Sequence, residues 1–171
     1  MPRSQQPKEG ELIVVSRLKV YNKILDIGAG DGKWAELLPD KRLDAVEIWP
    51  EYVKKYNLQK KYKNLYIINI INFVKVKDIT DWEVVILGDV LEHLDKEFGV
   101  ELVSYLKCKK VKVFLIIPIS GDTRQNGTCY GNPYETHRSF WTREEILSLG
   151  FTELHFGLNE NGKVGIGTYE I

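Results

Sequence analysis

The stretch KILDIGAGDGKW, residues 23–34, decides the fold of this chain. It begins as an apolar run that ends in an acid, continues with Gly28, Gly30 and Gly32 at alternate positions, and ends in a helical pattern. Because glycine carries no side chain, it lets the backbone turn sharply and approach another molecule closely. The stretch therefore predicts a strand, a tight turn and a helix, with a ligand against the turn.

The spacing of the glycines narrows the choice of ligand. A dinucleotide-binding turn has its third glycine at the sixth position, where this sequence has Lys33. A phosphate-binding loop would continue with Gly-Lys-Ser/Thr, which does not follow here. Asp26, two residues before the first glycine, is a poor neighbour for a pyrophosphate and a good one for a cation. We therefore expect a ligand that carries positive charge.

Length and composition are those of one ordinary globular domain. The chain has 171 residues, is 43% hydrophobic and 28% charged, and balances 24 acidic with 24 basic side chains. Zero net charge does not indicate nucleic acid as a partner. Cys108 and Cys129 lack metal-site spacing, and no stretch has the pattern of a signal peptide or membrane span, so we expect a cytoplasmic protein without a membrane partner. Richness in Lys, Ile and Tyr is a compositional hint of a thermophilic source.

The rest of the chain alternates apolar runs with amphipathic segments. Strands are predicted at residues 23–27, 43–47, 65–69, 84–88 and 111–117, and helices at 33–38, 51–60 and 96–107. This alternation is typical of a parallel sheet with helices on both faces. Near the end, residues 142–150 predict a capped helix, and Asn161-Gly162 predicts the turn of a β-hairpin. We assign residues 1–10 to a flexible arm and residues 11–171 to a single domain.

Four motifs in this order resemble those of class I S-adenosylmethionine (SAM) dependent methyltransferases. They are LDIGAGDGKWAELL (25–38), AVEIWPEY (45–52), NLYIINIINF (64–73) and WEVVILGDVLEHL (82–94). The terminal helix and hairpin match the part of the family that holds its sixth and seventh strands. The resemblance implies an α/β fold with a doubly wound seven-stranded sheet, in the order 3-2-1-4-5-7-6, with strand 7 antiparallel and helices on both faces.

The resemblance also implies SAM as the cofactor and a set of residues that bind it. The glycine turn would lie against the methionine and ribose, with Asp26 near the amino group and Glu47 accepting hydrogen bonds from the ribose hydroxyls. Asn69, which replaces the usual aspartate, would accept a hydrogen bond from the adenine amino group. The predicted cofactor-binding residues are Asp26, Gly28, Ala29, Gly30, Gly32, Glu47, Ile48, Asn69, Ile70 and Asp89.

Asp89, Glu92 and His93 recur at helical spacing after the fourth predicted strand, and His137 follows in the segment 119–141. Acids at a helix start can form a capping box, so one interpretation is structural. DVLEH with a later HRSFWTREE also resembles metal-assisted members of the superfamily, which include ubiquinone-pathway O-methyltransferases and small-RNA 3′-end 2′-O-methyltransferases. A histidine base without metal is the third interpretation. We predict catalytic roles for His137, His93 and Asp89 and expect no metal; otherwise Asp89, Glu92, His93 and His137 would be its ligands.

The predicted function is transfer of a methyl group from SAM to an O or N acceptor. The sequence does not identify that acceptor, which is either a small molecule or a macromolecule, and an open pocket is also compatible with a homo-oligomer. The aromatic segment 119–141 is predicted to cover the acceptor. Two alternatives stay open: an NAD-dependent oxidoreductase on a similar fold, and a non-catalytic SAM-binding subunit.

Overall fold

A computed structural model describes residues 8–121, 123–125, 131–159 and 162–171 of the chain. Its strands are β1 (Ile24–Ile27), β2 (Asp44–Glu47), β3 (Asn64–Ile67), β4 (Val84–Gly88), β5 (Lys112–Gly121), β6 (Thr152–Leu158) and β7 (Val164–Glu170). They form one seven-stranded sheet in the order β3-β2-β1-β4-β5-β7-β6. The first five strands are parallel, and β7 pairs antiparallel with β5 and β6. The predicted strand order is therefore confirmed.

The central strands separate two apolar layers, because alternate side chains of a strand point to opposite faces of the sheet. On β1, Leu25 and Ile27 belong to one layer and Ile24 to the other. Both faces of these strands are covered, which explains why their sequences are nearly continuous apolar runs. Strand β5 is longer than predicted and continues to Gly121 beside β7.

The described part of the chain contains seven α-helices. They are α1 (Glu9–Leu18), α2 (Lys33–Leu37), α3 (Pro50–Lys55), α4 (Leu58–Lys61), α5 (Ile70–Val76), α6 (Lys96–Cys108) and α7 (Arg143–Ser148). The helix predicted at 51–60 is interrupted, because Asn57 has a left-handed φ of 54° and separates α3 from α4. The capping box of α7 forms as predicted, with the Thr142 side chain and Glu145 as its members. None of these helices combines the length and apolarity that crossing a lipid bilayer requires.

Helix α1 begins at Glu9, so the prediction of a flexible arm is wrong for residues 9 and 10. Residues 1–7, together with Cys129 and the predicted turn residue Asn161, lie outside the described residues. Helix α1 packs on the terminal hairpin through Gly10, where an added Cβ would lie 2.2 Å from Oγ1 of Thr168 in β7. A glycine at this position therefore lets the helix approach the sheet closely.

We predict that Gly10→Ala destabilises the protein, although alanine is the better helix former. The added methyl group would overlap Thr168, and overpacking of this kind costs about 1–3 kcal/mol. The measurement is the thermal unfolding midpoint, with Ser16→Ala on the exposed side of the same helix as the control. A midpoint for Gly10→Ala at or above that of the control would contradict the close packing of α1.

Candidate active site

A cavity of about 1000 Å³ lies beyond the carboxyl ends of the parallel strands. This is the position where open α/β sheets bind their ligands. The cavity is lined by the glycine turn after β1 and by residues that follow β2, β3 and β4. The predicted cofactor-binding residues that line it are Gly28, Ala29, Gly30, Glu47, Ile48, Asn69, Ile70 and Asp89. Asp26 and Gly32 are not among its lining residues.

The glycine turn has the geometry that its sequence predicts. Gly28, Gly30 and Gly32 have φ values of 75°, 55° and 83°, in the left-handed region that side chains disfavour. An added Cβ on Gly30 would meet only the Gly28 carbonyl oxygen at 3.8 Å, so this position is open towards a ligand. On Gly32 it would lie 2.7 Å from the Lys61 side chain and 3.1 Å from Leu58. Gly32 therefore packs against α4, and its contact with the cofactor stays a prediction.

Glu47 at the end of β2 connects two parts of the site. Its carboxylate is buried and accepts hydrogen bonds from the N–H of Gly30 at 2.8 Å and the N–H of Trp49 at 2.7 Å. Burial raises the pKa of the Glu47 carboxyl, and hydrogen bonds from the backbone of Trp49, Gly30 and Ile48 offset only part of that rise. Each carboxylate oxygen keeps a second lone pair. Glu47 can thus hold the turn and still accept hydrogen bonds from hydroxyl groups of a ligand.

Asn69 has a structural role beside its predicted one. Its Oδ1 accepts a hydrogen bond from the N–H of Ile71 at 2.8 Å and caps the start of α5. Helix α5 was not predicted, because its apolar residues continue directly from those around β3. Asn69 also lines the cavity, so its contact with an adenine amino group stays a prediction.

Asp26 lies in the interior of the protein. It is completely buried in β1, and the Tyr62 hydroxyl donates a hydrogen bond to its Oδ2. Its Oδ1 has no hydrogen-bond partner among the described residues. Burial raises the pKa of Asp26 from 3.8 to about 7, although the bond from Tyr62 acts in the opposite direction. The structure therefore gives Asp26 an interior partner, and its role near the amino group of the cofactor stays a prediction.

The region after β4 differs from the predicted helix start. Leu91–His93 forms a single 3₁₀ turn, and α6 begins only at Lys96. Asp89 has a left-handed φ of 54°, and its N–H donates to the Ile116 carbonyl oxygen of β5 at 2.9 Å. Asp89 and Glu92 therefore form no capping box, and this part of the structural interpretation of the DVLEH motif is wrong.

Glu92, His93 and His137 meet at one side of the cavity. Each offers one ligand atom, and these three atoms lie within 4.8 Å of one another. The backbone holds His137 there, because the N–H groups of Arg138 and Ser139 donate to the Glu92 carbonyl oxygen at 2.7 and 3.1 Å. Asp89 lines the same cavity but does not belong to this group of three.

Hydrogen bonds to the backbone define the tautomer of both histidines. Nδ1 of His93 lies 3.3 Å from the Thr136 carbonyl oxygen, and Nδ1 of His137 bonds to the carbonyl oxygen of Thr123. A carbonyl oxygen can only accept, so Nδ1 carries the proton in each ring and Nε2 carries the lone pair. This arrangement is typical of histidines that bind a metal through Nε2.

The electrostatics of the group favour a bound cation or a proton. Glu92 is 2% exposed, and its Oε2 has no hydrogen-bond partner among the described residues. Burial and then the charge of Asp89 raise the pKa of the Glu92 carboxyl well above its ordinary value. Burial and the neighbouring His93 lower the pKa of His137, which keeps this ring neutral at pH 7.

The segment predicted to cover the acceptor is partly anchored to the core. Ser139 Oγ donates to the Leu91 carbonyl oxygen at 3.0 Å and accepts from Trp141 Nε1 at 2.9 Å, and Trp141 is buried. Its first residues belong to β5, so the predicted start of the segment is wrong. Arg124 and Tyr134 from its middle line the cavity, while residues 122 and 126–130 lie outside the described ranges. Contact with an acceptor stays a prediction.

Glu11 and Lys33 lie in the cavity wall and were not among the predicted site residues. Their side chains form an ion pair, with Nζ 2.9 Å from Oε1, and Lys33 Nζ also lies 3.7 Å from Asp89 Oδ2. A signal for Glu11 was available in the helical spacing of α1, where it shares the buried face with Val14 and Leu18. An acid on such a face needs a buried cationic partner.

Solved structures of methyltransferases resemble this chain. A SAM-dependent methyltransferase from Archaeoglobus fulgidus is 20% identical, covers 94% of both chains and has a TM-score of 0.61. The methyltransferase domain of bacterial CtHen1 is 18% identical, with 93% of this chain and 96% of that chain covered and a TM-score of 0.59.

A third structure is an N1-methyltransferase from Burkholderia thailandensis with 1,6-didemethyltoxoflavin and S-adenosylhomocysteine bound. It is 13% identical, with 95% of this chain and 76% of that chain covered and a TM-score of 0.63. No protein-family model matches the sequence, and neither does any curated protein. The chain has the fold of class I SAM-dependent methyltransferases, as predicted.

We predict that Asp26 makes stability fall as pH rises. Its pKa is raised from 3.8 to about 7 in the folded protein, so the folded state holds this proton more strongly than the unfolded state does. The favourable contribution is complete below about pH 4 and is lost as pH rises towards 7. The side chain at position 26 of Asp26→Asn carries no charge at any pH. The unfolding midpoint of this variant should therefore fall less between pH 5 and 8 than that of the wild type.

The control for this measurement is Asp40→Asn, because Asp40 is exposed. It should follow the wild-type pH dependence. Parallel curves for wild type and Asp26→Asn would show that Asp26 does not carry a raised pKa.

Proposed function

We propose that this chain binds SAM in the cavity beyond β1–β4 and transfers its methyl group to an O or N acceptor. The observation that carries the proposal is the joint geometry of the glycine turn and Glu47. The backbone at Gly30 is open to a ligand, and its N atom lies 2.8 Å from Oε2 of Glu47. The buried Glu47 carboxylate can accept hydrogen bonds from two neighbouring hydroxyls. The fold shared with SAM-dependent methyltransferases supports the same conclusion.

The protein needs to supply little covalent chemistry for methyl transfer. The methyl group leaves a sulfonium, which is already an activated leaving group, and the acceptor attacks it in line. Holding the two reactants in this geometry contributes about 7–11 kcal/mol in favourable cases. The glycine turn and the segment around His137 both line a cavity of about 1000 Å³. This cavity is suited to hold a cofactor beside an acceptor.

Two charged features of the cavity disfavour the oxidoreductase alternative. Lys33 occupies the position of the third dinucleotide-binding glycine, and the carboxylates of Glu11 and Asp89 line the wall beside the turn. Carboxylates at this position would repel a pyrophosphate. The buried Glu92 carboxylate beside two histidines is typical of a site that binds a metal or transfers a proton, which disfavours a non-catalytic SAM-binding subunit.

A divalent cation at Glu92, His93 and His137 is the second part of the proposal. The residues fit such an ion, because Glu92 Oε2 is buried without a partner among the described residues and both histidines direct their protons to backbone carbonyls. One carboxylate with two imidazoles suits a first-row divalent metal. A bound cation would supply positive charge that favours deprotonation of an acceptor hydroxyl. Without the ion, the same Nε2 lone pairs would serve as the proton acceptor.

The test of the cofactor is calorimetric titration with S-adenosylhomocysteine and with NAD. We predict that S-adenosylhomocysteine binds, NAD does not, and Glu47→Gln weakens binding by about 1.5–3 kcal/mol, or about 10- to 150-fold, because hydrogen bonds to a charged group are lost. Glu51→Gln, an exposed acid outside the cavity, is the control and should bind normally. Tight NAD binding without any response to S-adenosylhomocysteine would contradict the proposal.

The test of the cation is a titration of chelator-treated protein with Mn²⁺, followed by thermal unfolding. An ion that binds only the folded state at 100 times its Kd adds about 2.7 kcal/mol of stability, so the wild-type midpoint should rise. His137→Ala should lose that rise. His155→Ala should keep it, because His155 lies in β6 and does not line the cavity. A wild-type midpoint that Mn²⁺ leaves unchanged would contradict the metal site.

A further inference from the structure

A second charged group in the cavity wall consists of Glu11, Lys33 and Asp89. Lys33 Nζ is 2.9 Å from Glu11 Oε1 and 3.7 Å from Asp89 Oδ2, and the three side chains line the cavity together. Burial alone would lower the pKa of Lys33, but the charges of Asp89 and Glu11 outweigh it and raise that pKa. Lys33 is therefore a permanent cation in the wall of the cavity.

The contacts of this group leave hydrogen-bonding capacity for a ligand. An ammonium group has three donors, and Glu11 uses one of those on Lys33. The Asp89 side chain is 47% exposed, and its distance of 3.7 Å from Lys33 is an ion pair without a direct hydrogen bond. A cation with free donors beside an open carboxylate is complementary to the zwitterion of an α-amino acid, in which an ammonium group and a carboxylate group are attached to the same carbon.

Strand order indicates which end of the proposed cofactor reaches this group. Asn69 follows β3 and Glu47 ends β2, so adenine and ribose would occupy the β3-β2 side of the cavity. Strands β1 and β4 come next in the sheet, and Asp89 follows β4. A ligand that extends from Glu47 across the glycine turn therefore brings its far end to Lys33 and Asp89. In SAM that end is an α-amino acid, which is a zwitterion.

We propose that Lys33 binds the α-carboxylate of the cofactor's methionine moiety, that Asp89 receives its α-ammonium group, and that Glu11 positions Lys33 from helix α1. This inference rests on the proposed function and assigns the recognition of one end of the cofactor to these three residues.

Helix α1 holds Glu11 in place. Glu11 Oε2 accepts a hydrogen bond from the N–H of Lys8 at 3.0 Å, while Oε1 faces Lys33. Gly10 seats the same turn of the helix against Thr168 of β7. Glu11 is therefore a positioning residue, since both of its carboxylate oxygens are engaged within the protein.

The experiment compares two probes in calorimetric titrations. S-adenosylhomocysteine has the amino acid end, whereas 5′-methylthioadenosine has the same adenosine and thioether without it. We expect Lys33→Met to weaken binding of S-adenosylhomocysteine at least tenfold and to change binding of 5′-methylthioadenosine less than twofold. Glu11→Gln should show a smaller loss that is also confined to S-adenosylhomocysteine. A merely structural role would weaken both probes alike.

The control is Lys61→Met. Lys61 Nζ donates to the Asp31 carbonyl oxygen of the same turn, but this side chain does not line the cavity, so the ratio of the two affinities should not change. Lys33→Gln repeats the test with a side chain that can still donate to Glu11, in case Lys33→Met does not fold.

The possible failures are distinguishable. If the Lys33 variants lose affinity equally for both probes, or for neither, this inference is overturned. The proposed function is still supported in that case if the wild-type protein binds the probes. Wild-type protein that binds neither probe would overturn both. Weaker binding by Lys61→Met that is selective for S-adenosylhomocysteine would also overturn it, because the effect would then follow general positive charge.

Discussion

The hydrogen bond from the Gly30 N–H to the Glu47 carboxylate is the constraint on which the site depends. It joins the turn after β1 to the end of β2 and holds the glycines in left-handed conformations that other residues resist. A buried carboxylate is costly unless donors surround it, and the N–H groups of Gly30 and Trp49 are two such donors. The remaining lone pairs favour a ligand with hydroxyl groups. One side chain thus shapes the turn and selects what binds there.

The sheet was predictable because each parallel strand is a short apolar run bounded by turn residues. The connection after β4 was not, since the helical spacing of Asp89, Glu92 and His93 takes no account of tertiary contacts. The N–H of Asp89 bonds to Ile116 of β5, and the resulting left-handed residue places a 3₁₀ turn where a helix was expected. Likewise, the spacing of Asp26 and Gly32 reveals the turn but not which side of it faces the cavity.

Strand β4 ends between two charged centres of different chemistry. On one side Asp89 approaches Lys33, and on the other Glu92 joins the two histidines. The centres are three residues apart in sequence, and they are electrostatically linked: the charge of Asp89 raises the pKa of both Lys33 and Glu92. Occupation of one centre therefore changes the charge balance of the other. If the first holds the cofactor and the second the acceptor, binding of the two partners is coupled through Asp89.

The packing of α1 on the terminal hairpin has a consequence for the order of folding. Arg17 of α1 pairs with Glu170 of β7 at 3.0 Å across 153 residues of sequence, and Gly10 meets Thr168 of the same strand. Contacts between segments so distant close long loops, and folds rich in such contacts fold more slowly than folds with local contacts. The parallel strands and the glycine turn can assemble before α1 docks. Glu11 reaches Lys33 only when α1 is docked, so a state with α1 undocked would lack this ion pair and could still keep the bond between Gly30 and Glu47.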